Sequence, residues 1–215
     1  MNYKVISFYQ YTRVEQPETL INLIAKLPGL GPRSARKIAI HLIRQKDAIT
    51  TPLVKSLDEI IREVSTCKVC GNIGRKAKLN NEECPLGNKI CIDPKRDKTI
   101  VCVVEDIEDF WAIEKSSFYK GLYHILGGVI SAVDGIRPEH LNIEALLNRI
   151  KKGNIKEVIL ALGATVDGQT TSHSIAESLS ELNVEITQLA RGIPVGGELH
   201  YLDDGTLAAA FKDRR

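Results

Sequence analysis

Four cysteines, a residue type that commonly binds zinc, lie within 25 consecutive residues of the chain. Cys67 and Cys70 are separated by two residues and followed by Gly71, so both thiolates can reach one tetrahedral ion across a tight turn. Cys84 and Cys91 would complete a four-thiolate site, although six residues separate them where about two to four are usual. The sequence therefore predicts a structural Zn²⁺ held by these four cysteines. The alternative is a loop that carries reduced surface thiols.

Two carboxylates follow apolar runs that are typical of buried parallel strands. Glu105 ends the run TIVCVVE, and Asp167 comes shortly after the run EVILALG. Because the carboxyl ends of parallel strands meet at one edge of a sheet, we expect these two side chains to lie near each other. They could hold Mg²⁺, though only weakly, for phosphoryl transfer. Alternatively, they cap helices or dock a protein partner.

A glycine turn separates two segments with helical periodicity near the N-terminus. Gly29 and Gly31 permit the positive φ that a tight turn needs, and Pro32 suits the first position of the next helix. The free N–H groups at that helix start would attract a phosphate. This pattern predicts a helix-hairpin-helix that binds a nucleic-acid backbone without reading bases.

Basic side chains surround this turn. Arg33 and Lys37 share a helix face beside it, whereas the sequence does not fix the faces of Arg36 and Lys26, which we include as further DNA-binding candidates. From Ile21 to Lys46 there are six Lys/Arg and no Asp or Glu. A purely structural turn between two packed helices, the alternative interpretation, needs no such stretch.

Charge is distributed unevenly along the 215 residues. Residues 1–100 hold 18 Lys/Arg and 10 Asp/Glu, a net charge of +8, whereas residues 101–215 hold 11 and 17, a net charge of −6. This asymmetry predicts that the basic half meets nucleic acid and the acidic half binds a metal or a basic partner. No stretch reaches the roughly 18 apolar residues of a membrane span.

The cysteines and the N-terminus indicate the compartment. Clustered cysteines in a chain without a recognisable secretory signal favour metal binding over disulfides, and hence a reducing, cytoplasmic location. Cys102 lies in an apolar run and is expected in the core.

The elements that position these residues follow from periodicity and turn signals. We expect a helix from about Pro17 to Ala25 or Lys26, the hairpin's second helix, and a third helix with Thr51 as N-cap and Pro52 at its first position, packed on the hairpin pair. Residues 67–96 are interpreted as a loop. From Thr99 onward, apolar runs alternate with helical segments, which predicts an α/β fold with a mostly parallel sheet. The expected divisions are an N-terminal extension and helical domain (1–66), a zinc module (67–98), an α/β domain (99–190) and a C-terminal loop and helix (191–215).

The order of these parts resembles one family closely, the bacterial recombination mediators of the RecR family. The resemblance runs from about Leu20 to Arg215 and is carried by LPGLGPRSARKIA, CKVCGN, ICIDPKRD, VCVVEDIEDFWAIE, YHILGG, SAVDGI, EVILALGATVDGQTT and ARGIPVGGELHYLDDGTL. It implies a helix-hairpin-helix domain, a four-cysteine zinc module and a Toprim domain. It also implies a ring-shaped tetramer that works with RecO, and with RecF where present, to help RecA onto gapped DNA.

The chain departs from the family's pattern at two places. The second cysteine pair has two intervening residues in the family, but Pro-Leu-Gly-Asn-Lys-Ile separates Cys84 from Cys91 here. Asp167 stands where relatives commonly carry Glu, and since both are carboxylates we expect the role to be kept.

Two enzyme classes compete with a non-enzymatic DNA clamp and adaptor. A Toprim enzyme that nicks, joins or primes nucleic acid would carry a Glu at one strand end and an Asp-x-Asp at another, but Asp167 is followed by Gly168 and Gln169. A base-excision glycosylase would need a catalytic carboxylate or lysine shortly after the hairpin helix, and Asp47 lies in a different context. The sequence therefore favours the adaptor.

Overall fold

The computed structural model describes residues 17–75, 84, 86, 89–190 and 192–212. The chain divides into two compact units between Glu63 and Val64. The expected N-terminal extension, residues 1–16, lies outside the described residues. Within the described ranges, no helix is both long and apolar enough to cross a bilayer.

The described part of the first unit is entirely helical. Its elements are α1 (Glu18–Ile24), α2 (Pro32–Arg44), a π-helical turn (Lys46–Thr50) and α3 (Thr51–Glu63). Helices α1 and α2 pack through a small core of four buried residues, namely Ile24, Ala35, Ala39 and Leu42. The two alanines are one turn apart on the same face of α2, and their small side chains let the helices approach closely.

Helix α3 does not pack on the hairpin pair, contrary to the sequence-based expectation. None of its residues is buried, and Leu53, Leu57 and Ile61 are 41%, 49% and 74% exposed. Its start also differs, because Thr51 has helical backbone angles and the π-helical turn runs directly into it. The hydroxyl of the preceding Thr50 donates a hydrogen bond to the carbonyl oxygen of Leu42 at 2.6 Å, which fixes this turn to α2 instead.

The second unit begins with the cysteine region and continues as an α/β fold. Its elements are β1 (Val64–Thr66), β2 (Ile73–Arg75), α4 (Lys89–Ile92), β3 (Asp97–Val104), α5 (Ile107–Ser116), β4 (Gly121–Ile125), a 3₁₀ turn (Pro138–His140), α6 (Ile143–Lys152), β5 (Glu157–Ala161), α7 (Val166–Leu179), β6 (Glu185–Gln188), a second 3₁₀ turn (Leu199–Tyr201) and α8 (Asp204–Lys212). The region interpreted as a loop therefore contains β2 and α4.

The main sheet has four parallel strands in the order β4-β3-β5-β6, which confirms the predicted fold class. Because side chains alternate along a strand, β3 contributes to a core on each face. Val101 and Val103 belong to one core together with residues of α6 and α7. Cys102 belongs to the other, beside Phe110 of α5. The expectation that Cys102 is a core residue is therefore confirmed.

Strand β4 forms one edge of the sheet, yet all five of its residues are buried. Its outer backbone groups find partners outside the sheet. Nη1 of Arg149 donates to the carbonyl oxygen of Tyr123 at 2.6 Å, and the N–H of Ile125 donates to the carbonyl oxygen of Cys70 at 2.9 Å. The edge is thus covered by α6 and by the cysteine region.

Candidate functional site

The first cysteine pair lies on a tight turn between the antiparallel strands β1 and β2. The N–H of Gly71 donates to the carbonyl oxygen of Cys67 at 2.9 Å, and the N–H of Val69 points to the Cys67 sulfur at 3.5 Å. Gly71 has φ +74°, in the left-handed region that glycine adopts without strain. We call this turn, residues 67–71, the knuckle; its backbone directs both thiols to the same side.

All four cysteines come together in a buried cluster. Cys67, Cys70, Cys84 and Cys91 are 2%, 2%, 0% and 5% exposed, so the alternative of surface thiols is wrong. The sulfur atoms of the first three lie within 4.8 Å of one another, and those of Cys67 and Cys84 are 3.6 Å apart. Four sulfurs around a tetrahedral Zn²⁺, each about 2.3 Å from the metal, stand about 3.8 Å from one another. The geometry therefore fits a zinc ion.

Cys91 reaches the cluster from α4 despite its wide separation in sequence from Cys84. A side-chain hydrogen bond with Cys70 lowers the pKa of Cys91, but a bond with Cys84 and burial outweigh it and raise the pKa to about 11. Hydrogen bonds with the other three cysteines raise the pKa of Cys70 as well. Buried thiols of this kind ionise only when a cation replaces their protons, which is what a divalent metal does.

The knuckle is fixed to the carboxyl end of β4. Besides the hydrogen bond from Ile125 to Cys70, the side-chain amide of Asn142 donates to the carbonyl oxygen of Ile125 at 3.0 Å. A Cβ at Gly71 would lie only 2.1 Å from that same oxygen, so the two segments touch backbone to backbone. The cysteine cluster and the sheet consequently form one structure.

His124 lies on β4 beneath the knuckle and is fully buried. Its Nε2 is 2.9 Å from the carbonyl oxygen of Asn142, whereas Nδ1 faces the backbone of Val69 without a well-formed hydrogen bond. Burial lowers the pKa of His124 to about 4. The residue is thus a neutral core histidine with one hydrogen bond, in keeping with a histidine that has no ligand spacing in the sequence.

Acidification should destabilise the second unit through His124. An unfolded histidine has a pKa near 6.5, so between that pH and about 4 the unfolded chain binds a proton that the folded chain does not. The free energy of unfolding should therefore fall as the pH drops through this interval, by about 3 kcal/mol in all. Urea unfolding at several pH values should show that the free energy of unfolding falls less in His124→Gln than in the wild type, because glutamine cannot take up the proton. Equal falls in both proteins would contradict this assignment.

The two expected carboxylates meet at the carboxyl edge of the sheet. Glu105 follows β3, and Asp167 lies in the first turn of α7. Burial raises the pKa of Glu105, and the neighbouring charges of Asp109, Asp106 and Asp167 raise it further. The edge is therefore a cluster of four carboxylates that repel one another.

Sequence reasoning missed Asp106 and Asp109 as members of this edge. Both belong to the capping box at the start of α5, in which Asp106 accepts from the N–H of Ile107 at 2.6 Å and Asp109 accepts from the N–H of Asp106 at 3.4 Å. The Asp-x-x-Asp spacing was the available signal, because the capping box places two acidic side chains beside the preceding residue.

The glycine hairpin of the first unit has the expected form, except that only one of its two glycines has a positive φ. Gly29 has φ +76°, but Gly31 is extended and serves as the N-cap, with Pro32 at the first helical position. No side chain caps α2, and its first turn contains no acidic residue. The N–H groups of Arg33 and Ser34 lie in that first turn, where an α-helix offers them no acceptor. An anion could therefore bind there.

The four basic candidates of the hairpin, Lys26, Arg33, Arg36 and Lys37, are not buried. Arg33 and Lys37 lie one turn apart on α2, beside the uncapped helix start. Accessible cations next to free N–H groups suit the backbone of a nucleic acid, since phosphate contacts position a protein without specifying sequence.

Comparison with known families accounts for most of the chain. A family model described as "RecR, helix-hairpin-helix" matches residues 18–61. A "Toprim domain" model matches residues 99–190, and a "RecR, C-terminal" model matches residues 192–215. The hairpin and the acidic edge thus fall in separate recognised segments.

Three curated relatives that carry the name "Recombination protein RecR" are similar to this chain over nearly their whole length. The protein from Hyphomonas neptunium is 51% identical over 91% of this chain and 93% of its own. The protein from Maricaulis maris is also 51% identical, over 92% and 94% respectively. That from Rhodospirillum rubrum is 47% identical over 92% and 96%.

Proposed function

The chain belongs to the RecR family of recombination proteins, and from this we propose that it is a DNA-binding mediator of recombinational repair with no catalytic activity of its own. The observation that carries the proposal is the uncapped start of α2 with accessible cations beside it. We propose further that the protein acts with RecO, and with RecF where present, to help load RecA onto gapped DNA. Action on DNA also implies a cytoplasmic location.

We propose that three of the four expected parts divide this work. The hairpin binds DNA backbone through Arg33 and Lys37, with Arg36, Lys26 and the backbone around Gly29 and Gly31 in support. The zinc module is structural, because four thiolates leave no open coordination position. The acidic edge around Glu105 and Asp167 docks a basic protein partner.

Removing two hairpin cations should weaken DNA binding equally for all sequences. In Arg33→Ala/Lys37→Ala we expect the slope of log K against log salt to flatten by nearly two units, since each lost phosphate contact removes about 0.9 on duplex DNA. The matched control is Lys55→Ala/Arg62→Ala on α3, which removes the same charge outside the hairpin. Fluorescence anisotropy over a salt series measures both, and an unchanged slope in the hairpin variant would remove the hairpin from the DNA interface.

The composition of the acidic edge supports the absence of catalysis. Asp106 and Asp109 are engaged in the capping box of α5, and the Asp-x-Asp pair expected of a Toprim enzyme is missing after Asp167. A site of this kind binds Mg²⁺ weakly and does not form a two-metal clamp. Mg²⁺-dependent nicking of DNA by the pure protein, lost in Glu105→Ala, would reverse the proposal in favour of a phosphoryl-transfer enzyme.

We propose that the working unit is an oligomer, a dimer or a tetrameric ring. A single hairpin with a few cations supports only weak, salt-sensitive binding, with a Kd on the order of 10⁻⁴ to 10⁻⁶ M. Several hairpins on one DNA molecule gain affinity because each after the first binds at high effective concentration. The exposed apolar side of α3 offers a surface through which two copies could associate.

A charge on this side of α3 should dissociate the assembly. We expect Ile61→Glu to lower the mass in solution, measured by light scattering, and to weaken DNA binding as multivalency is lost. Lys55→Gln makes the same change in net charge on the opposite side of α3 and should leave the mass unchanged. If the dissociated Ile61→Glu protein bound DNA as tightly as the wild type at the same salt, the multivalency argument would fail.

A further inference from the structure

A groove with a volume of about 800 Å³ opens on the second unit between α6, the knuckle and the amino-terminal end of β3. Among the described residues that line it, four are cationic: Lys68, Lys98, Arg149 and Lys152. Its apolar wall includes Val69, Leu122 and Ile155. The groove thus combines several positive charges with an aliphatic surface.

Arg149 is held in place at this groove. One of its guanidinium nitrogens donates to the carbonyl oxygen of Tyr123 at 2.6 Å, and its side chain is half-buried. Lys152, in the last turn of the same helix, is exposed. A guanidinium already fixed by one hydrogen bond loses little freedom when its other N–H groups bind a carboxylate.

The acidic edge is distant from the groove's cation at the amino-terminal end of β3. Lys98 and Glu105 lie seven residues apart along β3 and its extension, which corresponds to about 23 Å. Screening at physiological salt acts over roughly 8 Å. Among the described residues that line the groove, Glu144 is the one carboxylate, and it lies two turns of α6 before Lys152, about 12 Å along the helix.

We propose that this groove binds an acidic, extended peptide segment of a partner protein, with carboxylates on its cations and an aliphatic side chain on its wall. The lining favours a peptide over single-stranded nucleic acid. None of the described residues that line the groove is aromatic, whereas single-strand binding sites stack bases on aromatic side chains. A phosphate backbone would also leave the aliphatic wall uncovered. This inference stands apart from the DNA-binding role of the hairpin.

The test uses the full-length protein and a fluorescein-labelled peptide of alternating glutamate and leucine, with binding read by anisotropy. We expect saturable binding that Lys152→Glu weakens roughly tenfold, since hydrogen-bonded ion contacts of this kind contribute about one such factor each. Asn148→Asp, which places a negative charge on the groove with little change in size, should weaken it as well. Lys151→Glu is the matched control: the same charge change on the neighbouring residue, which does not line the groove, should alter the Kd less than about twofold.

Two further peptides and one nucleic acid complete the test. Replacing every glutamate by glutamine, or every leucine by serine, should abolish binding, because the groove needs both charge and apolar contact. The hairpin variant Arg33→Ala/Lys37→Ala should bind the peptide like the wild type. The proposal is overturned if the acidic peptide does not bind, or if Lys151→Glu and Lys152→Glu weaken its binding equally. It is also overturned if oligo(dT) occupies the groove, which a loss of oligo(dT) affinity in Lys152→Glu would show. Binding confined to dissociated protein would also overturn it and would assign the groove to contacts between copies.

Discussion

Replacing Cys67 by serine is expected to abolish zinc binding and to unfold residues 67–96. The cysteine cluster has almost no apolar core of its own: beyond the four cysteines, only Val69 and Leu86 among the described residues pack against it. In such modules the free energy of metal binding, about 10 kcal/mol or more, is the free energy of folding. We therefore expect almost no zinc in the variant by elemental analysis, and rapid proteolysis within the module.

Cys102→Ala provides the matched control for this variant. Cys102 is equally buried, at 3% exposure, but lies in the sheet core rather than in the cysteine cluster. Its loss should cost about 1 kcal/mol through the small cavity that it leaves, with the zinc content unchanged. Folded wild-type protein that contains no zinc after washing with a chelator would show that the cluster does not need a metal.

Gly71→Ala is expected to destabilise the second unit by about 4 kcal/mol. Its left-handed backbone strains any residue with a Cβ, and the new Cβ would lie 2.1 Å from the carbonyl oxygen of Ile125, which is backbone and has little room to move. The knuckle must then shift away from β4 and lose the hydrogen bond between Ile125 and Cys70.

Gly135→Ala separates these two contributions. Gly135 belongs to the same unit and has φ +67°, but nothing that the structure describes lies within 4 Å of the position of a Cβ there. We expect a cost of about 1 kcal/mol from backbone strain alone. Urea unfolding of the two variants gives the difference directly, and equal losses of stability would mean that the contact between knuckle and sheet is unimportant.

The sequence predicted the elements whose pattern is local. Continuous apolar runs identified β3 and β5, the Cys-x-x-Cys-Gly spacing identified the knuckle, and the Gly-Pro step identified the start of α2. The strands β1 and β2 were missed because each has only three residues, too few to show an alternation. The widened spacing before Cys91 also gave no indication that the short helix α4 would bring this thiol to the others.

The exposed side of α3 shows a different limit of sequence reasoning. Its periodic leucines and isoleucines correctly predicted a helix with one apolar side. Periodicity indicates that such an apolar side is buried against a partner, but it does not indicate whether that partner is the same domain or another molecule. The expected packing on the hairpin pair is wrong for this reason, because that side is exposed in the described part of the chain.

The covered edge of β4 has a consequence for the newly synthesised chain. The knuckle occupies the carboxyl end of this strand, so a chain whose cysteine cluster has not yet folded leaves an apolar strand uncovered at that end, with the N–H of Ile125 unpaired. Uncovered edges of this kind pair with one another between molecules and aggregate. The rate at which the cysteine cluster folds should therefore determine how much of the protein stays in solution in the cell, whatever its affinity for DNA.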